Sequence, residues 1–222
     1  MTFNIHQKVF DRDGMLLEKV AEQYKEQLSK SFFESPEGQA LWDEGIQPGW
    51  SDMVTDLGMN YLSVTPATMS PDNLQEILFN LFPRKVSAEA DEAPDVIREL
   101  QYFWKFLQRV FQLENATACL KILDDEAANE LKEEMSNPAN FGIAKSFVMM
   151  GRDQGFDMST EEGLRSWMEI YNAGLAAGTQ PRIPLPGERR RSTGNIRDSI
   201  KIISPNRARM AKASRKKNRK KK

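Results

Sequence analysis

Apolar residues recur at three- and four-residue spacing almost throughout the chain before position 176, and no stretch alternates apolar and polar residues with β-branched enrichment. That periodicity restricts the body to helices. The spacing predicts a first helix over 14–33, with Leu16, Val20, Tyr24, Leu28 and Phe32 at steps of four on one face. Ser35-Pro36 and Ser70-Pro71 each put a hydroxyl at an N-cap and a proline at the first helical position, where its absent N–H costs nothing. After Ser70, Leu74, Ile77, Leu78 and Leu81 form an apolar face that Phe82-Pro83 is expected to end. Leu100, Phe103, Trp104, Leu107, Val110 and Phe111 mark a helix beyond Asp95, and Cys119, Ile122, Leu123 and Leu131 a further one. Residues 143–150 read as a short buried helix closed by Gly151 or Gly155. Ser159 and Glu162 read as a capping box for a helix whose core stripe is Leu164, Trp167, Met168 and Tyr171.

The expected fold is therefore all-α, a multi-helix bundle with a disordered basic C-terminal tail. A polar, acidic stretch without periodicity divides it into an N-terminal helical subdomain (1–83), a linker (84–94) and a C-terminal helical subdomain (95–177). The remaining 178–222 is a Pro-containing linker and tail. Pro181, Pro184 and Pro186 favour extended backbone, and beyond them 200–204 is the one apolar cluster, too little to offset the entropy of ordering.

Charge separates the same two parts. From residue 181 onward there are sixteen Lys and Arg against two acids, Glu188 and Asp198, a net of +14, while 1–180 holds fifteen bases against thirty acids, a net of −15. The overall −1 conceals an acidic body carrying a basic tail. Asymmetry of this size points to an anionic partner for the tail, nucleic acid above all. The expected phosphate-binding residues are Arg207, Arg209, Lys212, Arg215, Lys216, Lys217, Arg219, Lys220, Lys221 and Lys222, with Arg189, Arg190 and Arg191 as an auxiliary basic patch. Such side chains gain affinity by releasing condensed counterions, which requires neither a fixed fold nor base-specific geometry. Aromatics are absent beyond Tyr171, so base stacking adds little.

Chemistry requiring clustered nucleophiles or soft ligands is excluded by counting. With His6 as the only histidine and Cys119 as the only cysteine, the chain alone assembles neither a zinc site nor a Cys-His or Ser-His-Asp arrangement. Acidic doublets such as Glu133-Glu134 and Glu161-Glu162 point about 100° apart on a helix, so each offers one ligand to any face. Asp11 to Gly14 opens like a calcium loop, but the rest of that ligand pattern is missing, and Gly142, Gly151 and Gly155 lack the order of a phosphate-binding loop. No catalytic residue, metal ligand or cofactor is assigned. The lone cysteine, the lack of a membrane-length apolar run and a start without a signal peptide's apolar middle predict a cytoplasmic protein. Met149, Met150, Met158 and Met168 read as core packing, with an adaptable partner groove as the alternative.

Residues 144–172 (AKSFVMMGRDQGFDMSTEEGLRSWMEIYN), with 81–87 (LFPRKVS) before them, resemble segments of uncharacterised all-helical bacterial proteins. The resemblance implies a bacterial, cytoplasmic setting and carries no activity or site residues. The leading expectation is thus a non-enzymatic nucleic-acid-associated protein, RNA or ribosome before DNA, with an acidic helical body for partner recognition. The alternatives are a protein–protein adaptor using a Met- and Trp-containing helical surface, with the tail serving solubility or location, and a carboxylate- and metal-dependent enzyme.

Overall fold

A computed structural model describes residues 3–179 and Ile183. Ten α-helices lie among them: α1 (Glu18–Phe33), α2 (Pro36–Asp43), α3 (Trp50–Leu57), α4 (Pro71–Glu76), α5 (Phe82–Lys85), α6 (Ala93–Phe111), α7 (Ala116–Leu120), α8 (Asp125–Ser136), α9 (Ile143–Asp153) and α10 (Glu161–Ala177). Extended pairing among the described residues is confined to one antiparallel bridge, Phe10 with Leu16. The protein is all-α, as the periodicity requires.

Local chemistry sets the helix starts. The Ser35 hydroxyl accepts from the Gly38 N–H at 3.2 Å and donates to the Phe32 carbonyl at 2.6 Å, so one side chain closes α1 and opens α2. Ser70 and Asn73 exchange side-chain and backbone hydrogen bonds at the start of α4. The first helix begins later than its periodicity predicts. The Asp11 carboxylate accepts from the Asp13 and Met15 N–H groups at 2.9 and 2.8 Å, holding a tight turn that uses Gly14 at φ +76°.

Pro83 does not end the apolar face that follows Ser70. The chain passes from α4 through a π-helical turn at Ile77–Leu81 into α5, with Pro83 in its first turn. A π turn shifts the hydrogen-bond register by one residue, which absorbs the donor that proline lacks. The last helix is capped by Thr160, whose hydroxyl accepts from the Gly163 N–H at 3.1 Å. Ser159 is not the cap, because its hydroxyl and N–H are both engaged by the Asp157 carboxylate.

The core is built around α6, which buries Val96, Ile97, Leu100, Phe103, Trp104, Phe106 and Leu107. Phe32 of α1 meets Phe103 and Phe106 with ring centroids 5.2 and 5.5 Å apart. Phe103 and Trp104 are adjacent and so point about 100° apart, and both are buried, so α6 needs helices on two sides. Helices α2 and α3 pack against it, as do α7 and α8, and α1 reaches it through Phe32. One apolar cluster therefore runs from Ile5 to Met135 and includes Val86 and Ala88. The core does not divide at 84–94, because the breadth of the α6 stripe draws both sides of that stretch into one layer system.

A second, smaller cluster gathers Met158, Trp167, Tyr171 and Ile183, with Phe147, Val148, Met150 and Phe156 at its rim. Gly151 is buried inside α9 directly beneath Met158 and Trp167, where a Cβ would collide with both, and the helix closes at Gly155, φ +84°. Two members of the expected stripe stay outside this cluster: Leu164 is 38% and Met168 44% exposed. The reason is coverage. The helix is held by its Trp167 and Tyr171 side against α9, through ring contacts of both with Phe147, and that leaves its flank open.

Candidate nucleic-acid interface

Every residue that the sequence assigns to phosphate binding lies outside the described residues: Arg207, Arg209, Lys212, Arg215, Lys216, Lys217, Arg219, Lys220, Lys221 and Lys222, and equally Arg189, Arg190 and Arg191. The apolar cluster at 200–204 falls there too, as does the rest of the 178–222 segment apart from Gly178, Thr179 and Ile183. The Ile183 N–H donates to the Tyr171 hydroxyl at 3.1 Å and its side chain is buried, so Ile183 itself is seated against α10.

The structure describes the surface with which the tail shares a molecule. Many of the body's cations are already neutralised. Lys25 pairs with Asp56, Arg98 with Glu44 at 2.7 Å, Arg109 with Glu37 at 2.6 Å, Lys132 with Asp91 at 2.7 Å, Arg152 with Glu89 at 3.1 Å and Arg165 with Glu161 at 2.9 Å. The acid surplus remains. Asp125, Glu126, Glu130 and Glu133 are exposed on α8, whose N-terminus Asp124 caps by accepting from the Ala127 N–H at 2.9 Å. Burial, followed by the like charges of Glu130 and Glu133, raises the Glu134 carboxyl above its ordinary value, while Asn140 holds it the other way. Such a surface attracts polycations and repels phosphates.

Two buried charges are the residues that sequence reading missed. Glu99 is fully buried on α6. Its carboxylate accepts from the N–H groups of Gly49, Trp50 and Ser51, at 2.8 to 3.1 Å, and from the Ser51 hydroxyl at 2.7 Å. It thereby caps α3, whose own N-cap is Gly49 at φ +152° and has no side chain to do so. The signal was an acid on the apolar face between Val96 and Phe103, together with a helix start lacking a capping residue. Lys145 on α9 is 2% exposed, and its Nζ has no hydrogen-bond partner, resting 4.4 Å from the Phe141 ring centroid. Burial holds its amine down to about 8, against a smaller opposing pull from Glu89. A lysine three positions after a helix-opening glycine carries no comparable mark in sequence.

The residues singled out for chemistry are apart from one another. His6 is exposed, and its backbone N–H donates to the Asn4 side-chain oxygen. Cys119 is buried, its thiol pushed up to about 12 by desolvation, so it is neither a nucleophile nor a ready ligand. Asp11 spends its carboxylate on its own turn. Among the described residues no group of three His, Cys, Asp or Glu is placed to hold a metal ion. A shallow open depression on α8, lined by Asn129, Lys132, Glu133, Ser136 and Asn137, offers no converging buried polar groups. Of the methionines, Met158 is buried, Met149 and Met150 are half-buried and Met168 is exposed. Comparison with protein families, curated proteins and solved structures yields no match.

Proposed function

We propose that this is a non-enzymatic, nucleic-acid-associated protein of the bacterial cytoplasm, binding RNA before DNA through phosphate contacts of 206–222, with the acidic helical body regulating that tail. The observation that carries the reading is the segregation of charge, +14 from residue 181 onward against −15 before it. The body supports it by surface chemistry. Seven of its fifteen Lys and Arg are engaged in ion pairs and Lys145 is buried, while α8 presents exposed carboxylates, so the densest set of cations open to a phosphate backbone is the tail. Acidic helices and nucleic acid then compete for the same cations, which weakens indiscriminate binding. The setting rests on the sequence resemblance, and no helix among the described residues is long and apolar enough to cross a membrane.

The test is binding of a fluorescent random-sequence single-stranded RNA to the full chain and to the isolated peptide 206–222 over a salt series. The peptide is expected to bind more tightly at low salt and to converge with the full chain as the screening length falls below about 8 Å. A full chain that binds more tightly than the peptide at every salt overturns the opposing role of the body. One observation favours a second reading, an adaptor: Leu164, Met168 and Leu175 leave an apolar flank of α10 uncovered. Pulldown of protein partners that survives nuclease treatment and tail deletion would support it.

A further inference from the structure

Helix α10 leaves Leu164, Met168 and Leu175 exposed at 38, 44 and 36%. At about 100° per residue these three fall within an arc of about 40°, continuous with the buried Tyr171, and they extend over about 16 Å of helix. This is the outer half of an amphipathic face whose inner half, Trp167 and Tyr171, is covered by α9 and Ile183. The same chain carries a matching partner. Within 195–204, Ile196, Ile200 and Ile203 recur at steps of four and three, Asn195 and Asp198 stand where a helix start takes its cap and third-position acid, and Ser204-Pro205 stands where a helix stops.

We propose that residues 195–204 dock their isoleucine stripe on the Leu164, Met168 and Leu175 face of α10, completing the small second core and fixing the basic run 206–222 to the body at that point. Three observations choose this occupant. First, Ile183 is already seated on α10, its N–H held by the Tyr171 hydroxyl, so the remaining chain sets out from the helix it is to cover. Second, the thirteen residues from Ile183 to Ile196 span roughly 20 Å as a flexible chain, close to the length of the open face. A tether of this length gives an effective concentration in the millimolar range, so even a weak apolar contact is substantially occupied. Third, the charges match. Glu161, Glu162 and Glu169 outnumber Arg165 on α10, whereas Arg197 and Lys201 outnumber Asp198 on the segment.

The docking does not depend on the nucleic-acid reading, and its test contains no nucleic acid. Cys119 is buried with its thiol held protonated, so introduced surface cysteines report alone. The full chain is prepared as Asn172→Cys with Ser199→Cys, both outside the docking stripes, and as Asn172→Cys with Ala213→Cys for comparison. Disulfide formation under mild oxidation is followed at 0.5 M salt, where charge attraction is screened. Tether length alone favours position 199 over 213 by about 2- to 3-fold, since effective concentration falls roughly as the −3/2 power of length. Docking predicts a ratio above about 10-fold, independent of protein concentration, that falls to the tether value when Ile196, Ile200 and Ile203 are changed to Asp. A ratio of 2 to 3 in the unaltered segment overturns the proposal. So does cross-linking mainly between molecules, which assigns the face to a second copy, or a ratio unmoved by the three Asp substitutions.

Discussion

Glu99→Ala is expected to be among the most damaging single substitutions in this chain. The carboxylate it removes is fully buried and accepts three backbone N–H bonds and one hydroxyl bond at the start of α3. Truncation leaves those donors without their acceptor, the Ser51 N–H and hydroxyl in a buried position. Loss of one side of a buried, charge-assisted network costs about 3–5 kcal/mol. Against a typical domain stability of 5–15 kcal/mol, that is a large fraction. Glu99→Gln keeps the shape but turns an NH₂ toward N–H groups, so it should cost about 2–3 kcal/mol despite being isosteric. Urea unfolding followed by tryptophan fluorescence measures both. With a slope of about 2 kcal/mol per molar urea, the midpoint should fall by about 2 M for Ala and by about 1 M or more for Gln. If both variants lie within about 1 kcal/mol of the parent, the carboxylate is not what holds α3 to α6, and the capping argument fails.

Other outcomes follow from the same packing. Trp167→Ala should cost about 3–5 kcal/mol within the smaller cluster, since the ring is fully buried against Gly151 and Phe147, and hydrogen exchange should show the loss confined to α9 and α10; uniform loss across α6 would show that the two clusters unfold as one. Lys145, held down to about 8 in the fold, ordinarily titrates near 10.4, so the unfolded chain binds the extra proton between those values. Stability should therefore rise with pH from about 8 to 10 and be flat with respect to this group below that window. Lys145→Met should abolish the rise and stabilise the protein by about 1–2 kcal/mol at pH 7, and an unchanged pH profile would show that the amine is not desolvated. Cys119 should resist a thiol reagent at pH 8 until the protein is unfolded, and rapid labelling of the native chain would contradict its burial.

Much of the helical body was legible in the sequence because its signals are local. Ser35 and Ser70 cap as their neighbours dictate, and Tyr24, Leu28 and Phe32 face the core at the spacing that marked them. What was not legible depends on contacts distant in sequence. The stretch 84–94 has no periodicity of its own, yet Val86 and Ala88 are buried in the main apolar cluster, between α5 and a 3-10 turn at Ala90–Glu92 that both pack against the sequence-distant α8. Pro83 reads as a stop until the π turn before it shifts the register. Leu164 and Met168 carry the mark of a core stripe, but whether a stripe is covered depends on a partner, and α9 reaches only one side of α10. Glu99 pairs with α3 across 48 to 50 positions, a link that spacing cannot reveal.

The most direct test of the tail's role is the salt dependence of RNA binding by the full chain and by a chain ending at residue 205. Contact with six to nine phosphates of a single strand predicts a slope of log K against log salt of about −4 to −6 for the full chain. Replacing Lys216, Lys217, Lys220, Lys221 and Lys222 with Gln should flatten that slope by about 3, at about 0.7 per lost contact, and weaken unrelated sequences alike. The shortened chain should lose nearly all of both the affinity and the slope. Binding that survives the deletion of 206–222 with its slope unchanged would contradict the account and place the phosphate contacts on the helical body.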